Sequence, residues 1–269
     1  MTVKDEFIKT YRGDIIGREV IVLESAVSTN DVARAISRER DEPEGIVVIA
    51  DEQTGGRGRF GRRWISPPGV NLYCSVILKP DFVPGDVQFV TLAAAVAVAS
   101  AIREDAGINA EIKWPNDILV NNRKVSGILV EMRSGGGSPR LLILGIGVNV
   151  NMNMDAFGDD LKGIATSLKI EKGHALDRGI LFNGIASRLD ALYKILLNGD
   201  KTAVIHEWHR LNCTIGKRVS ISDQDRIITG MADSMNDRGE LLVRLSSGFI
   251  ETVRAGDVTL LRDEIEKET

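Results

Sequence analysis

The sequence contains few cysteine, histidine and aromatic residues, and each shortage argues against a class of protein or site. Two cysteines, Cys74 and Cys213, lie far apart in a chain of 269 residues, so neither a disulfide framework nor a cysteine-rich zinc site is indicated. His206 and His209 could share one face of a helix, but without a third ligand they do not predict a metal site. This cysteine usage favours a reducing compartment, the cytoplasm.

Charge and hydrophobicity limit the possible functions further. Lys and Arg number 34 against 38 Asp and Glu, and the resulting net charge of −4 argues against a general nucleic-acid binder. The N-terminal residues lack the apolar segment of a signal peptide. The longest apolar run, Phe89–Ile102, is too short to span a bilayer and predicts a buried core helix.

The order of predicted elements favours an α+β fold with a mixed or antiparallel sheet. A long helix is predicted from about Val87 to Ala106, and two β-rich runs joined at Asn121-Asn122 predict a hairpin. Further strands are predicted at residues 18–25, 45–53, 71–78 and 140–151. Because there is no regular βαβ repeat, we expect the helices to lie on one face of this sheet.

The character of the sequence changes after about Gly173. Helical periodicity covers residues 174–196 and 202–211, and beyond Cys213 short strands separated by turn residues predict a small SH3-like barrel. We therefore expect a large domain of residues 1–212 and a barrel domain of residues 213–269. Two shorter segments are also predicted, a helix in the first eleven residues and a flexible turn at residues 134–139.

The segment GGRGRFGRRW, Gly55–Trp64, is called the glycine-arginine loop below. It holds four glycines and four arginines, and it follows a predicted buried strand. Although it satisfies G-x-G-x-x-G, Pro67 and Pro68 forbid the helix that a dinucleotide-binding fold requires. Glycines allow the backbone to approach an anion closely, and arginines bind phosphate or carboxylate. The alternative at this point is a solvated basic turn.

Other motifs occur in a fixed order around this loop. They are Ser28-Thr29-Asn30, Gln53, the loop itself, Lys113-Trp114-Pro115-Asn116-Asp117, Lys124-Val125-Ser126-Gly127-Ile128-Leu129 and Gly145–Asn151. This ordered set, which extends from about Val20 to Asn151, resembles the catalytic domain of biotin protein ligases. The resemblance implies a fold similar to class II aminoacyl-tRNA synthetases, followed by a C-terminal SH3-like barrel.

The resemblance also implies an ATP-dependent biotin protein ligase. Biotin and ATP would give biotinyl-5′-AMP and pyrophosphate, and the biotinyl group would then pass to one lysine of a biotin carboxyl carrier domain of a carboxylase. Fixed positive charge and Mg²⁺ would offset the repulsion between the carboxylate and the α-phosphate. The loop would close over the adenylate and exclude water from the mixed anhydride.

Individual residues receive roles by the same resemblance. Lys124 would contact the biotin carboxylate and the α-phosphate, Asp117 would position Mg²⁺ or the incoming lysine amine, and Trp64 would shelter the adenine or hold the loop by packing. The implied catalytic residues are Lys124, Arg59, Arg57 and Asp117. The implied biotin-binding residues are Ser28, Thr29, Asn30, Gln53, Gly56, Arg57, Gly58, Arg59, Lys124 and Gly127. The implied ATP- or adenylate-binding residues are Arg57, Arg59, Arg62, Trp64, Lys113, Asn116, Lys124 and Asn149.

Structural roles are the alternative for several of these residues. Ser28 and Thr29 could cap a helix, Asp117 could bond to its own turn, and Gly127 and Gly145 could belong to the core of a strand. 

Other functions also stay open at this point. A ligase for lipoate or octanoate shares the same chemistry, whereas a protein that binds biotin without catalysis would not need the lysine and arginines. A DNA-binding repressor is disfavoured, because only about twenty residues precede the first strand. A homodimer is expected by analogy alone.

Overall fold

The computed structural model describes residues 6–7, 13–81, 84–133, 141–223 and 226–261. Within these residues the chain forms two sheets. The strands of the first are β1 (Glu19–Ala26), β2 (Ile46–Gln53), β3 (Leu72–Leu78), β4 (Ala110–Lys113), β5 (Asp117–Val120), β6 (Arg123–Arg133) and β7 (Leu141–Val148). Those of the second are β8 (Arg218–Asp223), β9 (Arg226–Met235), β10 (Leu241–Arg244), β11 (Ile250–Val253) and β12 (Asp257–Leu260).

The two sheets confirm the predicted α+β architecture with a C-terminal SH3-like domain. The first has the order β1-β2-β3-β7-β6-β5-β4, and the second has the order β11-β10-β9-β8-β12. The pair β1 and β2 is parallel, whereas the other pairs of the first sheet are antiparallel, so this sheet is mixed. The helices are α1 (Thr29–Glu39), α2 (Val87–Asp105), α3 (Leu168–Lys172), α4 (Arg178–Leu197) and α5 (Thr202–Leu211).

Helices cover both faces of the first sheet, so the prediction that they lie on one face is wrong. Strand β2 shows the physical reason, because its apolar run is continuous and is buried on both sides. Val47 and Ile49 belong to the large core that also contains residues of α2 and α4. Ile46 and Val48 belong to a second cluster, which contains Ala33 of α1.

Helix α2 is the central helix of the large core, as the apolar run predicts. It is 19 residues long, and nearly every residue from Phe89 to Ile102 is buried. By length and composition alone it would be able to cross a membrane, but 72% of its apolar stretch is buried inside the protein. It extends beyond the apolar run at both ends, and the surrounding sheet and helices provide its apolar environment.

Local sequence signals place several other elements correctly. Asn121 and Asn122 join β5 to β6 with φ angles of 50° and 60°, the left-handed conformations that a tight hairpin turn requires.

The short helix α3 is not signalled by any long periodic pattern. Of the predicted N-terminal helix, Glu6 and Phe7 are described and are helical. The turn predicted at residues 134–139 lies outside the described residues.

The second sheet packs against the connection between β4 and β5. Trp114 is fully buried there; its backbone N–H donates to Oγ1 of Thr214 at 2.8 Å, and its indole Nε1 donates to the carbonyl of Gly239 at 3.0 Å. Lys113 Nζ donates to the carbonyl of Val258 in β12 at 2.9 Å. The division into residues 1–212 and 213–269 stays a prediction, and these contacts tie the two parts together.

Thr214→Val removes the oxygen that accepts the hydrogen bond from the Trp114 backbone while keeping the shape of the side chain. The N–H group is then buried without an acceptor, so we expect the free energy of unfolding to fall by about 1–3 kcal/mol. Urea denaturation measures this change, and Thr214→Ser, which keeps the hydroxyl, is the matched control. A Thr214→Val protein as stable as the wild type would show that this bond does not help to hold the two sheets together.

Candidate active site

A cavity of about 900 Å³ lies between the first sheet, the glycine-arginine loop and β12. It brings together nearly all of the residues that the sequence singles out, although they are spread from residue 28 to residue 149. Those that line it are Ser28, Thr29, Asn30, Gln53, Arg57, Gly58, Arg59, Arg62, Trp64, Lys113, Asn116, Asp117, Lys124, Gly127 and Asn149. Gly56 does not line the cavity and instead lies at the base of the loop, where its carbonyl accepts a hydrogen bond from Trp64.

A series of neutral hydrogen bonds fixes one wall of the cavity. The side-chain oxygen of Gln53 accepts from the backbone N–H and the hydroxyl of Thr29, at 2.9 and 3.1 Å, and its Nε2 donates to Ser66 Oγ at 3.0 Å. Ser75 Oγ lies 2.7 Å from Thr29 Oγ1 and 2.6 Å from Asn30 Oδ1. Because the oxygen and the nitrogen of the Gln53 amide both have partners, the orientation of this amide is determined.

Ser28 precedes α1 and makes no side-chain capping bond. Capping therefore does not explain this buried serine, which lines the cavity. Thr29 is the first residue of α1 rather than its cap, and its hydroxyl bonds to Gln53. Both observations favour a binding role over the helix-capping alternative.

Asn30 is held from two sides. Its Nδ2 donates to Glu131 Oε2 at 2.7 Å, and a Cβ atom at Gly145 would lie only 2.5 Å from its Oδ1. Gly145 therefore makes room for Asn30. Neither Glu131 nor Ser75 was predicted as a site residue, because the partners that give them a role come from distant parts of the chain.

A second wall of the cavity is charged, because the carboxylate of Asp117 lies there between two ammonium groups. Asp117 Oδ1 lies 2.5 Å from Lys124 Nζ, and Asp117 Oδ2 lies 3.0 Å from Lys113 Nζ. Burial alone would raise the pKa of Asp117, but the charges of Lys124 and Lys113 outweigh burial and lower it. Asp117 is therefore ionised, and the hairpin formed by β5 and β6 brings it to Lys124.

The predicted role of Asp117 as a magnesium ligand does not fit this geometry. Both of its oxygens are paired with ammonium groups, which would repel a divalent cation. The described part of the chain contains no group of three side chains suited to a metal ion. The bonds to the lysines also replace the alternative of an Asp bonded to its own turn, so Asp117 positions Lys113 and Lys124.

Arg59 connects the glycine-arginine loop to the Lys113–Asp117 motif. Its Nη1 donates to Asn116 Oδ1 at 2.8 Å, and Asn116 Nδ2 in turn donates to the carbonyl of Ile128 at 2.8 Å. Burial lowers the pKa of Arg59, and the negative charge of Asp117 opposes that shift. Since an arginine keeps its charge under such shifts, Arg59 adds a fixed cation beside the two lysines.

The glycine-arginine loop forms a short hairpin. Trp64 N–H donates to the Gly56 carbonyl at 2.9 Å, and Gly58 N–H donates to the Arg62 carbonyl at 2.7 Å. Phe60 at the tip has a φ of 57°, in the left-handed region. The loop does not open a helix, in agreement with the exclusion of a dinucleotide-binding fold.

Two arginines of the loop pair with carboxylates that the sequence did not indicate. Arg57 donates through both terminal nitrogens to Asp31, at 2.7 and 2.6 Å, and Arg62 pairs with Asp257 of β12. The hydrogen bonds from Arg57 lower the pKa of Asp31, and Asp31 raises the pKa of Arg57. No local pattern could have found these partners, which lie 26 and 195 positions away in the chain.

Trp64 packs on the sheet in this structure. A Cβ atom at Gly147 would lie 2.7 Å from the indole, and one at Gly127 would lie 3.3 Å from it. Lys124 Nζ lies 5.5 Å from the centre of the ring, and the indole Nε1 is buried without a partner among the described residues. The packing alternative for Trp64 thus describes this state, and Gly147 is a contact that sequence reasoning missed within the Gly145–Asn151 motif.

Two further residues predicted to contact the nucleotide have structural partners. Asn149 is buried, and its Nδ2 donates to the carbonyl of Thr166 at 3.1 Å. Lys113 is shared between Asp117 and the carbonyl of Val258. Lys113 therefore supports the neighbouring segment, and Asn149 joins β7 to the segment that leads into α3.

The sequence matches known proteins along most of its length. Residues 22–149 match the biotin/lipoate A/B protein ligase family, and residues 214–261 match the biotin protein ligase C-terminal domain. The bifunctional ligase/repressor BirA of Bacillus subtilis is 36% identical over an alignment that covers 92% of this chain and 75% of the relative. The chain belongs to the biotin protein ligase family.

Other members of the biotin protein ligase family show the same likeness. The biotin–acetyl-CoA-carboxylase ligase of Mycobacterium tuberculosis is 29% identical, over 94% of this chain and 95% of the relative. The structure of the Aquifex aeolicus biotin protein ligase in complex with biotin and ATP superimposes with a TM-score of 0.79 at 28% identity, and covers 91% of this chain and 99% of that one. Membership of this family of enzymes confirms the resemblance seen in the motifs.

Asp117→Asn tests the charge arrangement of this biotin protein ligase through its pH dependence. The lowered pKa means that ionised Asp117 stabilises the fold above the ordinary value of 3.8, and that this stabilisation is lost as the pH falls and the carboxylate is protonated. We expect the variant to lose about 2 kcal/mol of unfolding free energy at pH 7 and to differ less from the wild type at pH 3. Urea denaturation at both pH values measures this, with Asp159→Asn, an exposed site, as control. An equal loss at both pH values would contradict the assignment.

Proposed function

We propose that this protein activates biotin with ATP and then transfers the biotinyl group to a lysine of a carrier domain. One observation carries the proposal: a single cavity joins the neutral hydrogen-bonding wall around Thr29, Asn30 and Gln53 to the cations Lys124 and Arg59. Biotin has a neutral ureido group that donates and accepts hydrogen bonds, and a carboxylate at its other end. Both features of the ligand thus find a matching surface in the same space.

The neutral wall also supports biotin over lipoate or octanoate, the other substrates that the resemblance leaves open. The amides and hydroxyls of Thr29, Gln53 and Ser75 are partly or fully buried and oriented by one another. A ligand whose inner end is purely apolar would cover these groups without bonding to them, and uncompensated burial of polar groups is unfavourable. A ureido head group can bond to the capacity that the internal bonds leave over, because an amide NH₂ has two donors and a hydroxyl oxygen has two acceptor lone pairs.

The first step joins two anionic groups. A carboxylate oxygen of biotin attacks the α-phosphorus of ATP, a new P–O bond forms, and pyrophosphate leaves with the electrons of the broken P–O bond. Lys124 and Arg59 are placed to offset the charge of the carboxylate and the phosphate in the transition state. ATP as the second substrate is supported by the Aquifex aeolicus relative, which is described in complex with biotin and ATP. Mg²⁺ would accompany the phosphates of ATP, and no step here depends on Asp117 as its ligand.

The second step consumes the biotinyl-5′-AMP. The amine of the acceptor lysine attacks the acyl carbon, an amide bond forms, AMP leaves, and the amine releases a proton. A carboxylase carrier is the proposed acceptor because two relatives are named biotin–acetyl-CoA-carboxylase ligases.

A cytoplasmic location is proposed as well, since Cys74 and Cys213 are both free thiols. That the chain does not act as a repressor, and that it forms a homodimer, stay predictions.

Mass spectrometry of the products tests the first step directly. The purified protein is incubated with Mg-ATP and biotin, octanoate or lipoate in separate reactions, and we expect an adenylate from biotin alone. An acyl-AMP from octanoate or lipoate would move the protein to the other branch of the family. The absence of any adenylate would leave a protein that binds its ligand without activating it.

Lys124→Ala tests the residue to which the proposal gives most of the charge stabilisation. We expect adenylate formation to slow by about 100-fold or more, the usual effect of removing one group that stabilises charge in a transition state. Urea denaturation should show a fold that is still stable, because Asp117 keeps its bond to Lys113. Lys162→Ala, at an exposed ion pair, is the control. An unchanged rate of adenylate formation in Lys124→Ala would remove this lysine from the mechanism.

A further inference from the structure

Arg57 is a cation of the cavity that forms a two-pronged pair with a carboxylate outside the loop. Both terminal nitrogens of its guanidinium donate to the two oxygens of Asp31, at 2.7 and 2.6 Å. This is the two-pronged geometry in which arginine binds carboxylates most specifically. The pair joins the first half of the glycine-arginine loop to the first turn of α1.

We propose that Asp31 is a positioning residue that holds the glycine-arginine loop closed through Arg57, and that Arg57 acts on the loop and not on the phosphates. The inference rests on the proposed function, since it concerns the retention of the adenylate. Nothing in the motifs assigns a role to Asp31, and the resemblance places Arg57 among the residues that bind ATP.

The distribution of charge around the cavity supports this division of roles. Arg57 and Arg34 face two carboxylates, because Arg34 lies 3.2 Å from Asp31 and 2.8 Å from Glu131, and Arg57 lies 4.0 Å from Glu131. This group of four charges is balanced without any ligand.

The cations near Asp117 are not balanced in this way. Lys113 and Lys124 share the single carboxylate of Asp117, and the Arg59 guanidinium bonds to the neutral side chain of Asn116. Three cations thus face one anion there. An added phosphate is attracted to this unbalanced group, whereas Asp31 already offsets the charge of Arg57 and occupies two of its five N–H donors.

The position of Asp31 explains how it would act on the loop. It follows Thr29 and Asn30, whose side chains are fixed by Gln53, Ser75 and Glu131. The first turn of α1 is therefore a rigid support beside the neutral wall. At the other end of the loop, Arg62 pairs with Asp257, so the loop is held at both of its ends.

Three variants and a control test the proposal. Asp31→Asn and Arg57→Gln each remove the ion pair, and the exchange Asp31→Arg with Arg57→Asp reverses it. Glu19→Gln, which removes an exposed ion pair with Arg40 at 3.4 Å, makes the same acid-to-amide change on the surface. For each protein we would measure the rate at which biotinyl-AMP escapes, the KM for ATP, and kcat for adenylate formation at saturating ATP.

We expect both single variants to release biotinyl-AMP about two- to five-fold faster, the range for partly exposed ion pairs. In Asp31→Asn the KM for ATP and kcat should stay unchanged. The exchanged double variant should recover slow release, and Glu19→Gln should match the wild type. An increased KM for ATP in Arg57→Gln but not in Asp31→Asn would overturn the proposal and return Arg57 to the phosphates. Wild-type release rates in Asp31→Asn would overturn it as well.

A second measurement keeps the inference separate from the proposed function. Trypsin cleaves after arginine, and the loop contains four of them, so the rate of cleavage within the loop reports how often it opens. Without any substrate, we expect Asp31→Asn to be cut in the loop faster than the wild type and Glu19→Gln. If the wild type makes no adenylate, the proposed function fails while this rate still decides whether Asp31 holds the loop. Equal cleavage of all three proteins would exclude that role.

Discussion

The carboxylate of Asp117, buried between the ammonium groups of Lys113 and Lys124, is the interaction on which the site depends most. A buried carboxylate is costly unless it is paired, and here its two partners come from β4 and β6, the strands on either side of β5. Lys113 carries the arrangement further, because it also bonds to the carbonyl of Val258 in the second sheet. One ionised group thus fixes the catalytic lysine of the proposed reaction and connects it to the C-terminal domain.

The opposite wall follows a different physical rule. Around Gln53 the groups are neutral, and their orientation comes from a series of hydrogen bonds in which one amide accepts at its oxygen and donates at its nitrogen. Such a series fixes which atoms face the cavity and therefore which ligand groups can pair with them. The two walls are suited to different roles. The neutral wall is suited to selecting the ligand by hydrogen bonds, and the charged wall is suited to bringing two anionic groups together.

The sequence predicted most of the fold and the composition of the site, for reasons that particular residues make clear. Hairpin asparagines, the apolar run of α2 and the ordered motifs are local signals, and each was sufficient to place its element or name its residues. The pairs Arg57–Asp31 and Arg62–Asp257 could not be predicted, because they depend on how distant elements meet. The same limit applies to the helices on the two faces of the first sheet. The apolar run of β2 indicates burial on both faces, but it does not indicate which helix covers each face. Gly145 was singled out within its motif and Gly147 was not, and only the packing shows that these glycines make room for Asn30 and Trp64.

The contribution of β12 to the cavity has a consequence for synthesis of the protein. Asp257 and Val258 bind Arg62 and Lys113, which are translated almost two hundred and about one hundred and fifty positions earlier. Until β12 has been synthesised, the side of the cavity that Asp257 and Val258 form is absent. A reactive anhydride made at that stage would be open to water and to neighbouring amines. The cavity can therefore be completed only after β12 has been made.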